Sequence, residues 1–187
     1  MEKRKCGWCL GSELYEQYHD TAWGVPVYDD ETLFEFLILE TMQAGLSWIT
    51  ILKKRANYYA ALDQYDIIKI AGYTDAKKQD LLLNAGIIRN KLKVHAIVTN
   101  AQLFLDIQKE HGSFSSYIWA FVDRKPIKNK VVDYKKAPAT TAVSERISKD
   151  LKKRGFKFVG PTVMYAFMQA TGMVNDHEVA CFRYDAV

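Results

Sequence analysis

Apolar positions recur along most of this chain at the three-to-four-residue spacing of helices, and nowhere in a sustained two-residue alternation. The segment DDETLFEFLILETM has Asp29 or Asp30 as its N-cap and then turns apolar on most faces, the pattern of a helix buried on several sides. Ser47 opens a second predicted helix that runs to Tyr59. Thr74 caps the next, with Gly86 as its stop signal, and NKLKVHAIVTNAQLFLDIQKEHG predicts a longer amphipathic helix ending at Gly112. FSSYIWAFV predicts another. From Asp123 to Thr141 the chain carries Pro126, Pro138, many charges and little periodicity, which predicts a long irregular connection. Beyond it, AVSERISKDLKKRGFKFVGPTVMYAFMQATG predicts two helices in a hairpin. Gly155 ends the first in a left-handed conformation, and Pro161 opens the second, where its missing N–H costs nothing. The expected class is all-α, as one domain over 1–187.

Composition agrees with a folded chain. Of 187 residues 49% are hydrophobic and 26% charged, with 10 glycines and 4 prolines, which excludes a disordered protein. The longest apolar runs fall far short of the ~20 residues that span a bilayer. The start, MEKRKCGWCLGSELYEQYHD, lacks the apolar stretch of a signal peptide, so a cytosolic protein with no membrane partner is expected. A net charge of +4 permits an anionic partner without demanding one. The cations cluster at Lys53 to Arg55, Arg89 to Lys93, Arg124 to Lys130 and Lys149 to Lys157; any one cluster alone reads as a solvated face.

Three groups of residues could carry chemistry. The first is the hairpin, where Gly155 and Gly160 allow close approach of a ligand and the following helix offers unpaired N–H groups to a phosphate. Lys152, Lys153, Arg154 and Lys157 surround it, a set suited to gripping a DNA backbone without reading sequence. The second joins the termini. Cys6, Cys9 and Cys181 are too few and too far apart for a disulfide framework, and a metal site is the better reading. His177 and Cys181, four apart in HEVAC, share one face if that segment is helical, and could join either Cys6 with Cys9 or Cys6 with His19. Spacing alone favours the Cys6–Cys9 pair, yet Cys6, His19, His177 and Cys181 make an equally acceptable tetrahedral zinc set. Either set fills four positions and would staple the chain ends rather than hydrolyse anything.

The third group centres on Glu40. Leu33, Leu37, Glu40 and Ala44 share one helical face, which aims the carboxylate inward among apolar neighbours. Such a group needs a partner, a hydrogen bond or a proton. It is either half of a structural ion pair or the floor of a pocket for a cationic or donor-bearing ligand. Trp48, just past the break at Gly45, and Trp8, Tyr15, Tyr18 and Trp23 nearer the start supply aromatic faces. Around a carboxylate these suit a flat, electron-poor ring.

Together these residues resemble the bacterial 3-methyladenine DNA glycosylase I family of helix-hairpin-helix base-excision enzymes. The resemblance is carried by CGW at Cys6, YHDTAWGVP at Tyr18, QAGLSWITILKKR at Gln43, AGIIRNKLK at Ala85, KDLKKRGFKFVGPTV at Lys149 and GMVNDHEVAC at Gly172, nearly the whole chain. It implies a helix-hairpin-helix fold with the hairpin at 144–172. The implied reaction is hydrolysis of the N-glycosidic bond of 3-methyladenine in alkylated double-stranded DNA by base flipping, leaving an abasic site. It implies no lyase step. The resemblance also implies a structural Zn2+ on Cys6, His19, His177 and Cys181, with Cys9 outside the set. Glu40, Tyr18, Trp48 and Trp8 become the base pocket, Glu40 as a recognition group whose burial also suits a general base. Gly45 and Leu46 would meet the DNA at the lesion, and Lys53 to Arg55 would face phosphates, with Lys153, Arg154, Gly155, Lys157 and Gly160 in the DNA-binding hairpin. Asp176 lies where related glycosylases carry an aspartate, but adjoins His177 and is assigned no catalytic role. A monomer in the bacterial cytoplasm is expected, with free 3-methyladenine as product. The competing reading is a zinc-stapled module that grips DNA without chemistry, which would not need Glu40 among aromatics.

Overall fold

Leu33, Leu37, Ile38, Leu39 and Met42 of helix α2 (Asp30–Gln43) are fully buried, so this helix runs through the core, as its apolar run predicts. The computed structural model describes residues 3–187. The two candidate caps divide the work. The Asp29 carboxylate accepts from the Thr32 N–H at 2.7 Å and caps α2 itself. Asp30 instead reaches a neighbour: it accepts from the Phe114 and Ser115 N–H groups at 2.8 Å each and from Gln108 at 2.7 Å. That fixes the start of α8 (Phe114–Trp119) and the end of α7 (Lys91–His111) against the start of α2.

The other helices are α1 (Glu13–Thr21), α3 (Trp48–Leu52), α4 (Arg55–Ala61), α5 (Ile67–Ala71), α6 (Asp75–Leu83), α9 (Ala142–Arg154) and α10 (Pro161–Ala170), of which α3 and α10 pack directly on α2. Helix α7 packs on α2, α5, α6 and α8, and α10 packs on α9 and α2. The sequence boundaries need three corrections. The single helix expected from Ser47 to Tyr59 breaks at Lys53–Lys54. There Lys54 turns to donate to the Ala85 carbonyl at 3.1 Å, and Arg55 makes a two-pronged ion pair with Glu35 at 2.7 and 2.9 Å. Ser47 makes no side-chain cap; the Tyr15 hydroxyl takes the Ile49 N–H at 2.8 Å instead. Helix α6 stops at Leu83, before Gly86, where the Asn84 side chain accepts from the Gly86 N–H.

The connection from 123 to 141 is the third correction. Strand β1 (Ile127–Lys128) pairs in parallel with β2 (Val174–Asn175), Val131 bridges Glu178, and Tyr134–Lys136 forms a 3-10 turn. A two-residue ladder leaves no alternation to read, yet it lays this segment along the C-terminal residues. Just before β2 the chain crosses residues 24–27; there Gly172 has φ +67°, and a Cβ would lie 2.4 Å from the Pro26 nitrogen and the Val25 carbonyl carbon. Neither backbone can yield cheaply. Gly172→Ala is therefore expected to cost about 3 kcal/mol, lowering the thermal midpoint by roughly 10 °C. A midpoint within 2 °C of the parent in a thermal melt would refute that tight crossing.

Candidate functional site

Adjacent residues near the end of α1 face two different sites. Tyr18 and His19 are both buried, Tyr18 against a cavity and His19 against a cluster of sulfur and nitrogen atoms. The cavity, about 260 Å³, has Glu40 and Gln43 of α2, Trp48 of α3 and Trp8 on its walls. It is at the small end of ligand pockets (roughly 300–1,000 Å³), a size for one flat ring system. Tyr18 and Trp48 have ring centroids 5.5 Å apart at 44°, and Trp8 stands edge-on to Tyr15 and Trp23 at 5.6 and 4.9 Å.

Four buried polar atoms on this wall have no hydrogen-bond partner among the described residues: Glu40 Oε2, Tyr18 OH, Trp48 Nε1 and Trp8 Nε1. Buried polar groups are nearly always paired, so four orphans in one cavity mark a place built to be completed by a ligand. Glu40 is 3% exposed, and burial alone pushes its carboxyl up to about 8. Burial, reinforced by the Glu40 charge, also raises the Tyr18 phenol well above its ordinary value. Asp176, on the same cavity, is opposite in kind. It accepts from Tyr165 and Asn129 at 2.6 Å and from Gln169 at 2.8 Å, so its oxygens are occupied.

Sequence reading missed Gln43, Gln169, Tyr134 and Ala137 on the cavity wall. The last two come from the irregular connection, where no periodicity could have shown that they face inward. Tyr134 is held by Glu178, whose two carboxylate oxygens accept from the Tyr134 and Gly7 N–H groups at 3.0 Å each.

Beside the cavity, Cys6, His19, His177 and Cys181 place their ligand atoms within 4.8 Å of one another, all buried. The HEVAC segment is a turn and not a helix; it still brings His177 and Cys181 together. Cys9 is outside the group, with its thiol donating to the Cys6 carbonyl. The donor set fits a tetrahedral zinc. His177 Nδ1 lies 3.2 Å from His19 Nε2, 3.6 Å from Cys6 Sγ and 3.8 Å from Cys181 Sγ, close to the roughly 3.3–3.6 Å edges that zinc–ligand bond lengths imply. The outward nitrogens donate elsewhere, His19 Nδ1 to Asp20 at 2.8 Å and His177 Nε2 to the Trp23 carbonyl at 3.2 Å. Those bonds turn a lone pair of each ring inward. Two lone pairs facing at 3.2 Å call for a cation between them.

The DNA-binding candidates fall in two exposed breaks. Gly45 (φ +77°), Leu46 and Ser47 protrude between Gln43 and Trp48, both of which line the cavity. In the α9–α10 connection, Gly155 (φ +103°) closes α9 with the paired bonds of a Schellman turn, Phe156 N–H to Leu151 and Gly155 N–H to Lys152. Lys153 and Lys157 are exposed. Arg154 is not a free cation: it is ion-paired with Glu110 and Asp150 and lies over the Tyr117 ring. Of Lys53 to Arg55, Arg55 is ion-paired with Glu35, Lys54 donates to the Ala85 and Gly86 carbonyls, and Lys53 is exposed without an ion pair among the described residues.

Comparison with known proteins now places the chain. A family profile described as Methyladenine glycosylase matches residues 8–184. DNA-3-methyladenine glycosylase 1 of Escherichia coli (strain K12) is 46% identical over 180 residues, 96% of each chain. A crystal structure of 3-methyladenine DNA glycosylase I superposes with a TM-score of 0.93 at 47% identity, covering 96% of this chain and 98% of that one. The Staphylococcus aureus enzyme, solved for the structural basis of its 3-methyladenine recognition, gives 0.92 at 36% identity over 95% of both chains. With a family match over nearly its full length, this chain belongs to the methyladenine glycosylase family.

Proposed function

We propose that the protein is a DNA glycosylase that hydrolyses the N-glycosidic bond of 3-methyladenine in alkylated double-stranded DNA and leaves an abasic site. The observation that carries this reading is the four unpartnered polar atoms of Glu40, Tyr18, Trp48 and Trp8 around one cavity of about 260 Å³. A base can reach that cavity only by leaving the stack, which is easier for one whose pairing is already damaged. Tyr18 and Trp48 then contact the ring and Glu40 meets its donor edge, while Leu46 fills the gap behind it.

The ring of the alkylated nucleotide is cationic and leaves readily. The C1′–N9 bond breaks with its electron pair going to the ring, which discharges the cation. Water adds its oxygen to C1′ and gives up a proton. The protein's part is to hold the flipped base, orient the sugar bond and admit one water. No lysine lines the cavity, so among the described residues there is no amine placed to form a Schiff base, in keeping with hydrolysis without a lyase step.

The α9–α10 pair reads as a helix-hairpin-helix at 144–172 within a single domain. Gly160, the N-cap of α10, supports it: a Cβ there would point into open space, so the glycine leaves room for a DNA backbone to approach the start of the helix. Structural zinc on Cys6, His19, His177 and Cys181 would cross-link the chain ends, with no position left for water. No helix among the described residues is long and apolar enough to cross a membrane. A cytoplasmic bacterial monomer acting on duplex DNA fits these features.

The deciding experiment is release of free bases from methylated duplex DNA, resolved by chromatography. Selective release of 3-methyladenine is expected. No release by folded, zinc-loaded protein would favour the binding module. The cations give a second expected outcome. Lys153→Ala and Lys157→Ala should each lower the salt slope of duplex binding by about 1. Arg154→Ala should leave that slope alone and lower the melting temperature, because its charge is already committed. A slope change for Arg154→Ala equal to that for Lys157→Ala would return it to the DNA contact.

A further inference from the structure

Lys93 is 6% exposed and has no carboxylate partner among the described residues. Its ammonium donates instead to the Met42 and Ala44 carbonyls, at 2.6 Å each. These are carbonyls at the end of α2, which the helix leaves without intrahelical partners, and the negative end of the helix dipole favours a cation there. The next residues are the exposed break Gly45, Leu46 and Ser47. Seven residues along α7, two turns further on the same face, Asn100 is fully buried. Its amide makes both backbone bonds of Lys157, accepting from the N–H at 2.8 Å and donating to the carbonyl at 3.1 Å. Lys157 is exposed in the α9–α10 connection, and Phe158 after it sits at φ +57°, a conformation that a side chain other than glycine adopts only when held. The Lys93 ammonium lies 6.0 Å from the Phe158 ring centroid.

One helix thus grips two loops by their backbones, roughly 10 Å apart along its axis. We propose that Lys93 and Asn100 are positioning residues that hold the Ala44–Ser47 break and the Gly155–Gly160 connection in one fixed relation, so that both engage a single DNA duplex together. Neither residue lines the cavity. Their effect is on substrate held in duplex DNA and not on the free base. The bonds run to backbone atoms, so no side-chain change in either loop could replace them.

This rests on the glycosylase reading, and the wild type is the control for that reading. Lys93→Met keeps the aliphatic stem and removes the donor. Three quantities are compared with the parent: single-turnover release of 3-methyladenine from methylated duplex, affinity for free 3-methyladenine by tryptophan fluorescence, and the same release in a Leu46→Ala background. The expected result is release slowed by about tenfold or more, since small misplacements of a bound substrate cost up to ~100-fold. Free-base affinity should stay within twofold. In the Leu46→Ala background the same substitution should cost twofold or less, because it acts through the placement of that loop. Lys93→Arg, which retains donors, should recover part of the loss. Asn100→Leu should weaken binding to undamaged duplex with the same spared base affinity. Release by Lys93→Met within twofold of an active parent would overturn the proposal. So would an undiminished cost in the Leu46→Ala background, or free-base affinity falling in step with release. If Lys93→Met fails to fold, Lys93→Gln is read by the same criteria. A parent that releases no base would instead remove the glycosylase reading itself.

Discussion

Glu40→Gln is expected to leave the protein folded and to slow release of 3-methyladenine from methylated duplex about a hundredfold, a loss typical of removing one preorganised polar group from a site. Free 3-methyladenine should bind about tenfold more weakly. The carboxyl is buried on α2 with one oxygen unpartnered, and burial alone holds it at about 8. The cationic ring of the alkylated nucleotide supplies the missing counter-charge and draws the acid into its ionised form, giving a charge-assisted hydrogen bond that an amide cannot reproduce, whereas the discharged free base keeps only the hydrogen bond and loses less. Unchanged affinity and release in the variant would remove Glu40 from recognition.

The same substitution tests the burial itself. Between the ordinary value of 4.5 and about 8, the folded protein holds a proton on Glu40 that the unfolded chain has lost. Stability contributed by this proton is complete below pH 4.5 and declines as pH rises to about 8, by up to ~1.4 kcal/mol per pH unit. Glutamine has no such dependence. The stability of the parent relative to Glu40→Gln should therefore fall across that window and level off above it, measured by denaturant melts at stepped pH. A flat difference from pH 5 to 8 would mean that Glu40 is not a lone desolvated acid. Lower activity together with higher stability at pH 8 is the usual mark of a functional group kept at a structural cost.

How much of this is legible in the sequence depends on whether the signal is local. The burial of Glu40 is legible, because the spacing of Leu33, Leu37 and Glu40 on a nearly continuous apolar helix leaves the carboxylate no route to solvent. So is the end of α9, where Gly155 takes the left-handed conformation that the turn requires. The order of residues 123 to 141 is not legible. It arises from pairing with Val174, Asn175 and Glu178, far along the chain, over too few residues to leave an alternation. Nor does a cation cluster reveal which of its members are free. Lys157 and Arg154 look alike as members of one cation cluster, and it is the pairing of Arg154 with Glu110 from α7 and Asp150 one turn back on α9 that separates them. The choice between Cys9 and His19 is of the same kind. A two-residue gap favours Cys9, but the short turn after Cys6 aims that thiol at a carbonyl instead.

Cys181→Ser should abolish stoichiometric zinc and lower stability by about 5 kcal/mol, the amount by which a cross-link closing a loop of some 170 residues restricts the unfolded chain. For a chain of this length that is roughly 10–20 °C of melting temperature. A metal bridging Cys6 and His19 to His177 and Cys181 would tie the chain ends together as a disulfide does, and restrict the unfolded chain in the same way. Without a cation, burial pushes the Cys6 thiol up and the His19 and His177 rings down, which favours their neutral forms. Three of the four ligands also stand near the cavity wall in the chain: Trp8 lies two residues after Cys6, Tyr18 precedes His19, and Asp176 precedes His177. Losing the metal should therefore loosen the pocket before it alters the reaction. At a temperature where Cys181→Ser remains folded, release per folded molecule should stay within about tenfold of the parent, and it should fall with free-base affinity rather than apart from it. Metal analysis, a thermal melt and release assays at low temperature read all three. A folded variant with normal base affinity and no release would place the metal in the chemistry, which a closed four-ligand site does not allow.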